Sequence, residues 1–245
     1  MEKNISLKEL KKECQRDSYD CWCSQKMLNK FSIYFTWFFS RTSVTPNKVT
    51  FLMIISGIAG GVFLAMGNYI NALAGALFLY IFLVLDLTDG ELARYKKIFS
   101  KRGKFLDFAA NDIVFTSVFL SLSLKVFNSD YKLLGYALFN NPLVLITGAG
   151  TVIFFAFFKL SSYYAQEIDE NLQNSFSKFN GFNKKTKSIV LKMANNVFYD
   201  TVVIIVAIIG IILDIPQYVL LFYGVGYTLR YMSIIFLKMS NKSIK

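Results

Sequence analysis

Residues 69–94 read YINALAGALFLYIFLVLDLTDGELAR, and the reading of this stretch decides how the rest of the chain is understood. From Tyr69 to Leu85 no side chain is charged; then Asp86, Asp89, Glu91 and Arg94 follow within nine residues. A helix that crosses a bilayer needs about 20 mostly apolar residues, so the run reads as a spanning helix whose last turns are acidic. A carboxylate at membrane depth is costly unless it faces a protein cavity or a cation. Asp86 and Asp89, at i and i+3, share one helix face.

Outward from this stretch, charge-poor runs and polar connections alternate. Six spans are expected: about Val49–Met66, Tyr69–Arg94, Gly103–Phe127, Pro142–Tyr163, Phe198–Leu213 and Pro216–Leu237. The chain of 245 residues is 54% hydrophobic and 17% aromatic, and its charge is too unevenly spread for a soluble domain. No cleavable signal pattern is expected at the start, because the first 30 residues carry no apolar run. Residues 1–45 mix Lys and Ser with Trp22, Phe31, Tyr34, Phe35, Trp37, Phe38 and Phe39, the composition of an amphipathic helix lying in the membrane interface. Thr45-Pro46-Asn47 is a helix-start signal. The expected class is therefore an all-α integral membrane protein, with an interfacial segment over 1–45 and a six-helix membrane domain over 46–240.

The net charge of +11 raises nucleic acid as a partner, but its distribution argues against one. Lys and Arg cluster as nine in 1–48, six in 94–104, five in 178–192 and three in 238–245. The connections at 67–69 and 214–217 carry none, and 125–141 carries only Lys125 and Lys132. Every second connection being basic is the pattern of the positive-inside rule. It places both termini and the acidic cluster at the cytoplasmic face, with lipid as the natural partner of the excess charge. Cys14, Cys21 and Cys23, all in the N-terminal segment, do not form a disulfide framework. The chain has no histidine, which excludes imidazole as base, nucleophile or ligand.

Gly103 follows Arg94 after eight intervening residues, and Asp107 stands four further on. If the second and third spans are antiparallel neighbours, Asp86, Asp89 and Asp107 converge at one membrane edge. Three acids without histidine or thiolate make an oxygen-only site that favours Mg²⁺ or Mn²⁺ over Zn²⁺, and their mutual repulsion calls for a cation or protons. Gly90 and Ala93 are small enough to leave room for a ligand, and Arg94 has the forked geometry that suits phosphate. These parts fit phosphoryl-type transfer from a nucleotide diphosphate.

The series Asp86, Asp89, Gly90, Ala93, Arg94, Gly103 and Asp107 resembles the signature of the CDP-alcohol phosphotransferase family, D-x2-D-G-x2-A-R-x8-G-x3-D-x3-D, at seven of its eight fixed positions. The six-span layout and Thr45-Pro46-Asn47-Lys48-Val49-Thr50 are also similar to family members. Asp17-x2-Asp20-x-Trp22 is similar to the branch that makes inositol-type phospholipids. The resemblance implies that Asp86, Asp89 and Asp107 hold the divalent metals and that Gly90, Ala93 and Arg94 contact the CDP moiety, with Gly103 part of the same motif. It implies a donor that is a CDP-activated lipid or alcohol, an acceptor hydroxyl, a place in phospholipid biosynthesis, and a homodimer as a common assembly. Family members that accept a phosphorylated polyol use basic residues of later spans, a role for which Lys159 and Arg230 are the candidates.

The eighth position departs from the pattern. Asn111 stands where the family has the acid assigned to proton abstraction, and an amide is not a base. Asp112 is adjacent, but about 100° around the helix. Two further readings stay open: a catalytically impaired homologue that binds CDP-lipid, and a channel or carrier with acids along an ion path.

Overall fold

The computed structural model describes residues 6–15, 28–133, 135–168 and 198–240, without the side chains of 162–168, 234 and 237–240. Among them are eight helices: α1 (Leu7–Cys14), α2 (Asn29–Ser40), α3 (Pro46–Ala65), α4 (Tyr69–Lys96), α5 (Lys101–Phe127), α6 (Pro142–Ile168), α7 (Asp200–Ile212) and α8 (Pro216–Ser240). Their ends follow local chemistry. Pro46 occupies the first turn of α3; Asn68 and Ser100 cap α4 and α5 by accepting from the backbone N–H of Asn71 and Gly103. Lys97, left-handed at φ 55°, closes α4.

Four helices are long and apolar enough to cross a bilayer: Pro46–Ala65, Tyr69–Lys96, Lys101–Phe127 and Pro142–Ser161. They correspond to the first four expected spans. α7 is apolar but has only 13 residues, about 20 Å of helix against a hydrocarbon core of about 30 Å. α8 has 25 residues. Large apolar side chains face outward along the helices, as in the stripe Phe51, Ile55, Ile58 and Val62 on α3, a surface suited to lipid and unsuited to water.

α3 packs on both α4 and α5, and α6 joins α5 to α8. The α3–α4 crossing is a backbone approach. A Cβ on Gly75 would lie 2.8 Å from the Gly60 carbonyl oxygen and 3.0 Å from the Leu64 nitrogen, so small residues set the helix separation. Gly148 likewise abuts Ser123, whereas Gly150 meets open space. Between α5, α6 and α8 the core is aromatic: Phe115 stacks on Phe155 at 3.9 Å between centroids, and Tyr227 meets both edge-on.

The connection after α5 holds a two-stranded antiparallel hairpin, Lys132–Leu133 paired with Tyr136–Ala137. Lys125, 1% exposed, donates to the Gly67 carbonyl at 3.0 Å, and the Tyr131 hydroxyl donates to Asp214. These contacts tie three connections together at the end of the bundle opposite Asp86. The Asp17–Trp22 resemblance, Cys21, Cys23 and most of the polar connection 166–197 lie outside the described residues.

α1 and α2 lie against α4. α2 turns its polar side inward: Asn29, Ser32, Ile33 and Thr36 are buried, while Phe31, Tyr34, Phe35 and Phe38 are exposed. Helical spacing separates the two sets, and what draws the hydroxyls inward is a carboxylate on α4.

Candidate active site

α4 and α5 are joined at the motif end by a connection of four residues, 97–100, so the end of α4 faces the start of α5. Asp86 and Asp107 meet there through Asn111. The Asn111 amide nitrogen lies 3.2 Å from Asp86 Oδ1, 3.2 Å from Asp107 Oδ1 and 3.1 Å from the Asp107 carbonyl oxygen. One amide N–H₂ thus bridges an acid from each helix, placing partial positive charge between two like charges. Asp89, buried at 8% exposure, accepts a 2.6 Å hydrogen bond from the Thr50 hydroxyl of α3. The three acids lie within electrostatic reach of one another.

The structure brings other motif positions to the same end with specific packing roles. The Gly103 N–H donates to Ser100 Oγ, and a Cβ at Gly103 would come within 2.9 Å of Asn47 Oδ1. Gly103 thus lets the start of α5 close on Thr45-Pro46-Asn47. Gly90 borders the end of the Arg94 side chain, and Ala93 is half-buried one turn along. Arg94 Nε donates to the Cys14 carbonyl of α1.

Lys159 of α6 sits between two acids: its ammonium is 2.8 Å from Asp112 of α5 and 2.8 Å from Asp200 at the start of α7. The Arg230 guanidinium stacks over Phe158 at 4.6 Å and Phe198 at 5.1 Å from the ring centroids. The Tyr227 hydroxyl is buried and has no hydrogen-bond partner among the described residues.

Three contributors escaped the sequence reading. Glu91, fully buried, accepts from Gln15 Nε2 at 2.9 Å, Ser32 Oγ at 2.8 Å and Thr36 Oγ1 at 2.5 Å. It fastens both N-terminal helices to α4. Its only signal in sequence was an acid two residues after Asp89, on a different face. Lys96, read as an ordinary topological charge, donates to the carbonyls of Phe39, Thr42 and Val44 at 3.2, 2.7 and 2.7 Å, locking the connection between α2 and α3. Asp200, 88 residues beyond Asp112 and joined to it through Lys159, carried no motif signal. Only folding brings it near.

The donor chemistry fits a divalent cation. Asp86, Asp89 and Asp107 present hard oxygens of the kind Mg²⁺ and Mn²⁺ take, from two helices that face one another. Among the described residues no three His, Cys, Asp or Glu side chains are drawn tightly around a single point; Thr50 and Asn111 hold the acids instead.

Acids from two long apolar helices meet at one end of the bundle, and four helices long enough to cross a bilayer are compatible with an integral membrane protein. A family model described as CDP-alcohol phosphatidyltransferase matches residues 43–236. The chain belongs to this family, a transferase family of phospholipid synthesis whose members generally depend on divalent metal. A comparison with curated proteins finds no match.

Proposed function

We propose that the protein transfers a phospho-alcohol group from a CDP-activated donor to an acceptor hydroxyl with release of CMP, at the cytoplasmic face of a bilayer. The observation that carries this reading is the meeting of Asp86 and Asp107 across two apolar helices on one amide, with Asp89 held by Thr50. In this reading Asp86, Asp89 and Asp107 hold Mg²⁺ or Mn²⁺. The cation supplies charge neutralisation for the donor pyrophosphate and for CMP as it leaves. Thr50 orients Asp89, and the Asn111 amide keeps Asp86 and Asp107 turned toward each other. Gly90 and Ala93 leave the α4 surface low enough for the cytidine diphosphate, with Arg94 beside it. Arg230, a cation backed by two rings, takes the phosphate of a phosphorylated polyol acceptor. Lys159, occupied by its two acids, organises the acceptor side.

α7 and α8 complete a six-span domain over 46–240. Residues 1–45 lie in the interface, with the exposed rings of α2 toward lipid and the α2 hydroxyls toward Glu91. The basic clusters place both termini and the site in the cytoplasm. The test is CMP release by purified protein with Mg²⁺ or Mn²⁺ and a panel of CDP-lipid and CDP-alcohol donors with polyol acceptors. Asp107→Ala is expected to abolish release; undiminished release refutes the metal assignment.

A second reading has one observation in its favour. The Asn111 amide, which cannot accept a proton, occupies the position beside Asp86 and Asp107, and a protein that binds donor without turnover would look the same there. A silent parent chain that gains activity on Asn111→Asp supports that reading.

A further inference from the structure

We infer that Asp200 is the general base that takes the proton from the acceptor hydroxyl, an inference that rests on the transfer proposed above. An attacking alcohol must lose its proton, and a positioned base contributes roughly 10²–10⁴-fold to such a step. With no histidine in the chain, the natural candidate near neutral pH is a carboxylate. Asp86, Asp89 and Asp107 are committed to the cation, Glu91 is saturated by three donors, and Asn111 has no basic atom. Asp130 and Asp214 belong to the opposite end of the bundle. The described carboxylates that remain beside the site are Asp112 and Asp200, both on Lys159.

Position separates these two. Asp112 is one residue beyond Asn111 and points about 100° away from the motif face of α5. Asp200 opens α7, which packs against α4, and lies within electrostatic reach of Asp86, Tyr227 and Arg230. The Tyr227 hydroxyl, within that reach, is buried and has no partner among the described residues, a polar group that an acceptor's hydroxyl would satisfy. A polyhydroxy acceptor is the class that meets Tyr227 and Asp200 together.

Charge balance explains why two acids share Lys159. The triad Asp112–Lys159–Asp200 carries a net charge of −1. When Asp200 takes a proton, the triad becomes neutral and Lys159 keeps Asp112 as its counter-ion, so the ammonium is not left without a partner. In the step itself the acceptor oxygen bonds to the β-phosphorus while its proton passes to the Asp200 carboxylate. The bond from that phosphorus to the bridging oxygen breaks, and CMP leaves with the electron pair. Asp200 then returns its proton to water.

The test compares the full-length parent, Asp200→Asn, Asn111→Asp and the double variant, purified and assayed for CMP release with Mg²⁺ and the best donor–acceptor pair. Asp200→Asn is expected to lower kcat about 100-fold or more, with the donor KM within about threefold. Asn111→Asp in the same chain restores a carboxylate beside the acids, so the double variant is expected to recover at least about tenfold of that loss, which a merely structural fault at Asp200 would not allow. Should Asp200→Asn fail to fold, Asp200→Ser carries the same comparison. A kcat for Asp200→Asn within about threefold of the parent overturns the inference and leaves the transferase reading standing. A silent parent beside an active Asn111→Asp overturns the inference and favours the reading of a chain that binds donor without turnover. Silence of both, with every donor, overturns the inference and the transferase reading together.

Discussion

Replacing Glu91 by Ala tests whether one buried carboxylate holds the N-terminal helices on the membrane domain. Glu91 accepts three hydrogen bonds, from Gln15, Ser32 and Thr36. Hydrogen bonds to a charged group contribute roughly 1.5–3 kcal/mol each, so three set an upper limit of about 4.5–9 kcal/mol. Two effects reduce it. The donors keep fallback acceptors, Thr36 with the Ser32 carbonyl at 3.0 Å and Gln15 with the Asn29 carbonyl at 2.9 Å, and removing Glu91 also removes the cost of burying its charge. The expected net loss of docking is therefore about 3 kcal/mol, near a hundredfold in the opening equilibrium at about 1.4 kcal/mol per factor of ten.

Cys14 reports on that opening. It is fully buried on α1, and burial first, then the Glu91 charge, pushes its thiol up to about 12. At pH 8 the docked thiol is thus about one part in ten thousand thiolate, and the thiolate is the reactive form. Maleimide labelling reads the rate in a background where Cys21 and Cys23 are Ser. Labelling of the docked parent is expected to be slow below pH 9 and to gather speed as the pH climbs toward 12. Glu91→Ala is expected to accelerate labelling about a hundredfold at pH 8, with Arg94 still donating to the Cys14 carbonyl. A rate within threefold of the parent refutes Glu91 as the clamp.

Other consequences follow from single contacts. Gly75→Ala drives a Cβ into the Gly60 carbonyl and the Leu64 nitrogen, backbone atoms that cannot step aside, and is expected to cost about 1–3 kcal/mol in thermal unfolding in detergent. Lys96→Met strips the Phe39, Thr42 and Val44 carbonyls of their shared donor; a loss of about 2 kcal/mol or more is expected, and an unchanged melting curve argues against the lock. Thr50→Val keeps the side-chain shape but deletes the 2.6 Å hydrogen bond to Asp89. The Mg²⁺ concentration for half-maximal CMP release is expected to rise about tenfold or more, and no change rejects Thr50 as the residue that orients Asp89.

Much of this protein was legible in the order of its residues. Runs of about 18 residues that are apolar but for one or two charges have few alternatives to a spanning helix, which is why the first four expected spans reappear as α3, α4, α5 and the apolar part of α6. The spacing of Asp86, Asp89, Gly90, Ala93, Arg94, Gly103 and Asp107 likewise carried the family, because helical periodicity converts local spacing into a shared face. The tertiary structure decided what spacing cannot encode. It set Asn111 between Asp86 and Asp107, folded α2 with its hydroxyls inward on Glu91, and carried Asp200 to Lys159. Each is a contact between residues far apart in sequence, fixed by how helices cross rather than by the pattern along any one of them.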